Sequence, residues 1–164
     1  MTFGLLIVAM MATIAAPAGA KNQAERPYKG SEQVIFTLLF DTCGPTGCNF
    51  TTVGENGRST HLGKMTSSSE GFITFAPPCE LSDGSIGDGF STEGTFQFTA
   101  ANGDQIFGTF ENEGCADGDG IIPGRIEGSQ EIDGGTGRFA GATGSAITFG
   151  DNIGPLSWVG TLTY

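Results

Sequence analysis

Residues 131–149 read E-I-D-G-G-T-G-R-F-A-G-A-T-G-S-A-I-T-F, and the reading of this stretch decides the fold. Five of the 28 glycines fall in it, at positions 134, 135, 137, 141 and 144. β-Type residues flank the cluster, Ile126 to Ile132 before it and Ala146 to Phe149 after it. Glycines clustered between strands mark backbone at positive φ or backbone lying close to another segment. The stretch therefore reads as strand, tight glycine turn, a short compact turn carrying Arg138-Phe139-Ala140, then a new strand. Positive φ is expected at Gly135 and Gly137. Phe139 is the only large apolar side chain of the loop, so it is expected to plug one end of whatever the strands enclose.

A nucleotide-binding reading of the same glycines fails. A phosphate loop needs G-x-x-x-x-G-K-[ST] at the start of a helix, and neither the Lys nor the helix follows. In a dinucleotide fingerprint the third glycine would stand where this chain has Ala140, and the next element reads as a strand.

G-G-T-G-R-F-A-G-A-T-G-S-A, residues 134–146, resembles the glycine loop of plant dirigent proteins and, more loosely, that of allene oxide cyclases. It is also similar to a group of small secreted bacterial proteins with a T-H-L-G stretch, matched here by Thr60-His61-Leu62-Gly63. The resemblance is specific over the loop and extends as a pattern over residues 31–164. It implies an eight-stranded antiparallel β-barrel with an apolar interior. It carries no catalytic residue across, because the active-site side chains of those families lie outside the loop and no position here matches their motifs.

The remainder of the chain is consistent with an exported all-β protein. Residues 2–15 are nearly all apolar or small, and Ala18-Gly19-Ala20 before Lys21 is a small-x-small cleavage signal. Residues 1–20 thus read as a secretory signal peptide, although no Lys or Arg precedes the apolar run. Residues 21–164 have the size of a single domain with a core. Thirteen Phe and 28 Gly, with 15% charged residues, disfavour helices. A net charge of −11 argues against nucleic acid or an anionic membrane surface as partner. The expected compartment is periplasmic or extracellular.

Four cysteines in such a chain predict two disulfides. Cys43-Gly-Pro-Thr-Gly-Cys48 is a turn sequence able to bring its ends together. Residues 95–99 and 106–110 are β-like runs around Asn102-Gly103, a strong two-residue turn signal. A tight turn there sets Phe98 opposite Phe107 and Phe90 opposite Cys115. Cys79, read as part of a loop over 76–89, can then reach back to Cys115. A tetrahedral zinc site is the alternative, but neither C-x-x-C nor a second His is present.

Further strands follow from period-2 patterning at 33–41, 49–53, 60–66, 71–75, 125–132 and 156–164. Val34, Phe36, Leu38 and Phe40 share one face of the first, with Ile35 and Leu39 on the other. That strand is expected to be covered on both sides, by the core and by the segment around Pro27-Tyr28. The last strand sets Leu156, Trp158, Leu162 and Tyr164 on one face. The fold class is all-β: a single antiparallel β-barrel of about eight strands with no substantial helix.

Few residues carry chemistry. His61 is the only histidine and reads as a structural strand residue, since no Asp or Ser is tied to it by a motif. Cys115-Ala-Asp117-Gly-Asp119-Gly120 starts like a calcium loop, but Ile121 and Gly128 stand where ligands belong, so it reads as an acidic loop. Arg125, Glu127 and Glu131 form a charged row, favoured on the outside because isoleucines occupy the opposite face. Asn49-Phe50-Thr51 is a glycosylation sequon, relevant in a eukaryotic host.

Three function classes are compared. A secreted barrel binding a small apolar molecule is preferred, with Phe96, Phe98, Phe107, Phe139 and Trp158 as the expected lining and no cofactor or metal. An isomerase or cyclase on the same barrel needs a buried carboxylate or Tyr beside the cavity. An outer-membrane barrel fits the alternation of Trp158, Leu162 and Tyr164, but short strands and four cysteines count against it. A filled interior would instead favour a structural or adhesive role.

Overall fold

The computed structural model describes residues 24–117, 124–151 and 154–164. The signal-peptide reading of residues 1–20 and the Asp119-Gly120 part of the acidic loop lie outside them. Eight strands run in chain order: β1 (Glu25–Leu38), β2 (Gly47–Ser59), β3 (Gly63–Glu80), β4 (Ile86–Ala100), β5 (Gln105–Ala116), β6 (Arg125–Gly135), β7 (Thr143–Gly150) and β8 (Pro155–Thr163). Each pairs antiparallel with its neighbour, and β8 returns to β1 with Glu25 opposite Thr163, so one sheet closes into a ring. Two 3-10 turns, Phe40–Thr42 and Gly137–Phe139, are the only helical pieces among the described residues. Closure leaves no unpaired edge for a second Phe-rich chain to join.

Even-numbered residues of β1 face inward: Tyr28, Glu32, Val34, Phe36 and Leu38. Phe96 and Phe98 of β4, Ile106 and Phe110 of β5, Gln130 and Ile132 of β6, and Trp158 and Leu162 of β8 face inward as well. The alternation follows the pleat, which sends successive side chains to opposite faces. At one end, the turns 60–62, 101–104 and 136–142 gather Leu62, Phe139 and Ala142 against Ile106, Leu162 and the half-buried Tyr164. Phe139 is fully buried there, with its ring edge-on to Tyr164 at 4.9 Å. Burying each such large side chain stabilises by roughly 1.5–3 kcal/mol. The opposite end, where β1, β3, β5 and β7 finish, is left open by the described residues and carries both disulfides, Cys43–Cys48 and Cys79–Cys115.

Several sequence expectations need correction. The runs 60–66 and 71–75 are not two strands: residues 60–62 turn, and β3 continues unbroken to Glu80, which reduces the candidates to eight. The first strand starts at Glu25, so Tyr28 is an interior residue and not an outer cover. Ile35 is 49% exposed, so the outer face of this strand stays uncovered, and Phe40 leaves the inner face for the 3-10 turn after the strand, where it is 79% exposed.

The hairpin register differs by one. Ala100 and Asp104 bond to each other around a three-residue loop, 101–103, whose Gly103 has φ +87°. A three-residue loop ending in a left-handed glycine is favoured alongside the two-residue turn. Phe98 therefore opposes Ile106, and Gly89 opposes Cys115. A slip of one residue exchanges the faces of a strand, and Phe107 is turned outward. The Cys79–Cys115 bridge forms even so, because an irregularity between Ala76 and Cys79 displaces the end of β3.

In the glycine loop, positive φ occurs at Gly137 (+57°) and Gly141 (+77°), and not at Gly135. Gly135 serves by close approach: a Cβ there would lie 2.6 Å from the carbonyl oxygen of Phe139. The chain can then fold back on itself and drive Phe139 into the ring.

Candidate functional site

The packed end fills less than the whole interior. Above it the inward positions are taken by short residues, among them Thr52, Gly54, Ser67, Ser69, Thr92 and Thr148. They leave a cavity of about 740 Å³ that opens at the disulfide-bearing end. A volume of this size suits a small organic molecule.

Aromatic rings form its walls. Phe36 and Phe50 stack with centroids 4.6 Å apart, and Phe50 meets Phe110 at 6.2 Å. Phe96 and Phe98 stand 4.8 Å apart on β4. Beneath them Trp158 stacks on Phe98 at 4.9 Å with the planes 11° apart, and Tyr28 leans on Trp158 at 6.1 Å. The five expected lining residues thus separate. Phe96 and Phe98 line the cavity, Trp158 supports Phe98 from below, and Phe139 belongs to the closed end. Phe107 lies on the outer face, 38% exposed, over the bare backbone of Gly134, for the register reason given above.

The sequence reading missed a set of polar side chains among these rings. Glu32, Thr92, Gln130 and Thr148 are all buried and line the cavity, as do Ser67 and Asn112. Glu32 is inserted over Gly54, where any Cβ would lie 2.1 Å from its carboxyl oxygen Oε2. That glycine is what allows the carboxyl to tuck against the wall of β2. Burial pushes the Glu32 carboxyl up to about 7, against a smaller lowering by the neighbouring Ser67 hydroxyl. Burial, and then the charge of Glu32, hold the Tyr28 hydroxyl far above its ordinary value, with a smaller opposing effect of the Trp158 N–H. Asn112 Nδ2 donates to Thr92 Oγ1 at 3.4 Å, and the Thr52 and Ser69 hydroxyls bond at 2.6 Å. Glu32 Oε2, Asn112 Oδ1, Gln130 Oε1 and Thr148 Oγ1 have no protein partner. Buried polar atoms are normally satisfied, so four unpartnered ones around one cavity are a feature of that cavity.

The other candidates lie elsewhere. His61 is in a turn, not a strand; its Nε2 is 2.9 Å from the Pro27 carbonyl and its Nδ1 3.3 Å from the Tyr164 hydroxyl. These bonds fasten the closed end. Arg125, Glu127 and Glu131 face outward, with Arg125 3.8 Å from Glu127 across an exposed surface. Among the described residues, no group of three or more His, Cys, Asp or Glu side chains is placed to hold a metal ion. The two disulfides fit an oxidising compartment.

No protein-family model matches the chain, nor does any curated protein or any solved structure.

Proposed function

We propose that this chain is an exported β-barrel protein that binds a small, largely apolar molecule inside the ring. The observation that carries the reading is the cavity of about 740 Å³, walled by Phe36, Phe50, Phe96, Phe98 and Phe110 and open at one end. Apolar pockets with a few convergent polar groups are where small molecules bind. The dirigent-like glycine loop, whose Phe139 closes the far end, supports the same barrel architecture. An empty interior counts against a purely structural or adhesive role. Charged residues at mid-strand on the outer face, Glu70, Glu93, Glu111 and Glu131, count against a lipid-facing barrel, which needs an apolar band there.

One observation favours a catalytic variant of this reading. Glu32 is a carboxyl facing the cavity with its pKa raised to about 7, the property of a group able to exchange protons near neutral pH. An isomerase or cyclase on this barrel would use Glu32 as its acid or base.

The test is binding of a neutral apolar dye such as Nile red to the folded protein. The dye should bind in the parent and be lost in Ser69→Phe, which fills the cavity from β3. Failure of the parent to bind, or equal binding by both proteins, would overturn the proposal.

A further inference from the structure

The chemistry of the cavity lining also selects among apolar ligands. Glu32 Oε2, Asn112 Oδ1 and Gln130 Oε1, three of its unpartnered atoms, are acceptors. One N–H of the Asn112 amide is bonded to Thr92 Oγ1, and its carbonyl oxygen has no partner in the protein. These oxygens have almost no accessible surface, so a ligand meets them only where their side chains turn toward it, and it must then bring donors of its own.

Charge points the same way. The ionisable side chains lining the cavity are Glu32, Asp88, Asp117 and Asp151, with no Lys, Arg or His among the described lining residues. A carboxylate or phosphate would enter against the charge of Glu32 and Asp88 and meet no cationic side chain among the described lining residues. A buried carboxylate such as Glu32 is costly unless it is protonated or paired. An ammonium group supplies both the donors and the opposite charge. The net charge of −11 raises the concentration of cations around the protein and favours their encounter with the mouth.

We propose that the cavity selects a lipophilic amine, with its apolar body against Phe96, Phe98 and Phe110 and its ammonium group paired with Glu32, Asn112 and Gln130 belonging to the same lining. This rests on the ligand-binding reading above and narrows it to one ligand class.

The experiment displaces bound Nile red with three linear probes of equal chain length: an alkylammonium, an alkanol and an alkanoate, each below its micelle concentration, at about pH 8, where simple amines stay protonated. The alkylammonium should displace the dye at a concentration about tenfold or more below that of the alkanol, with the alkanoate weakest. In Glu32→Gln this preference should vanish, the alkylammonium and the alkanol then displacing the dye at concentrations within about twofold of each other. The acidic outer surface is common to parent and variant, so a difference between them reports on the cavity. Equal displacement by ammonium and alkanol in the parent, or a preference that persists in Glu32→Gln, overturns the amine proposal and leaves the binding proposal standing. Absence of dye binding in the parent overturns both.

Discussion

The two ends of the ring are held together in different ways. At the closed end Phe139, Ile106, Ala142 and Leu162 are completely buried, and Arg138 and His61 tie the turns above them to each other and to β1. At the open end Phe36 and Phe75 are about half exposed, at 45% and 51%, because the interior beside them is empty. Here the links are covalent, and both disulfides lie at this end. The difference teaches that a cavity removes the contacts that would otherwise hold the surrounding strands. A crosslink can replace them without occupying the space, since it limits the unfolded chain more than it packs the folded one.

The comparison predicts effects of graded size. Phe139→Ala should destabilise most, by about 3–5 kcal/mol, since it leaves a void where nothing can collapse. A urea melt indistinguishable from the parent would show that the closed end is not held by packing. Removing the Cys79–Cys115 bridge, which spans 36 residues, by the double Ser variant should cost about 3–4 kcal/mol. The loss should appear as faster proteolysis at the open end, and equal cleavage at both ends would break the contrast.

Glu32→Gln should act in the opposite direction and only at high pH. The folded value of about 7 lies above the ordinary 4.5, so folding takes up a proton between these limits. The associated stability is intact below about 4.5 and is lost as pH rises through about 7. Tyr28 is the other titratable group facing this carboxyl, and it stays neutral throughout. The variant should therefore match the parent at low pH and exceed it by up to about 3 kcal/mol above neutrality. Thermal melts of both proteins across this range check the sign; a parent that gains on the variant with rising pH would refute it.

The smallest effect is expected for Arg138→Ala. Its guanidinium donates to the His61 carbonyl at 3.0 Å and lies 3.5 Å from Asp104, but the side chain is 46% exposed. About 0.5–1 kcal/mol is expected for so solvated a set of contacts. A larger loss in thermal melts would make this Arg part of the packing at that end.

The sequence disclosed the closed end better than the open one. Phe139 stands alone among small residues, and the alternation Leu156, Trp158, Leu162, Tyr164 places each of these inside. Burial of large apolar side chains leaves a period-2 trace, and both could be read from it. The pairing of the cysteines was legible as well, although the loop drawn around Cys79 is mostly strand. Glu32 is hidden in the sequence because the apolar run that marks the first strand starts one residue after it. The frame Tyr28-x-Gly30-x-Glu32-x-Val34-x-Phe36 extends the inward positions back through it and contains the missing signal. Interior polar residues break the hydrophobic pattern by which interiors are recognised, so Gln130 and Thr148 were equally hidden. Phe107 was misplaced because Asn102-Gly103 is compatible with a loop of two residues and with one of three.

That last ambiguity has a consequence for how this chain tolerates change. Residues 101–103 are exposed and touch nothing in the cavity, so substitutions in them should matter little as long as Gly103 is kept. Their number is another matter. A single residue deleted there would work like a frameshift: Phe107, Thr109 and Glu111 would be delivered into the ring, while Ile106, Phe110 and Asn112 would be expelled from it. β6 takes its alignment from β5 and would be offered the wrong face along its whole length. The surface loop that looks most expendable is thus the one whose length decides what is inside the protein.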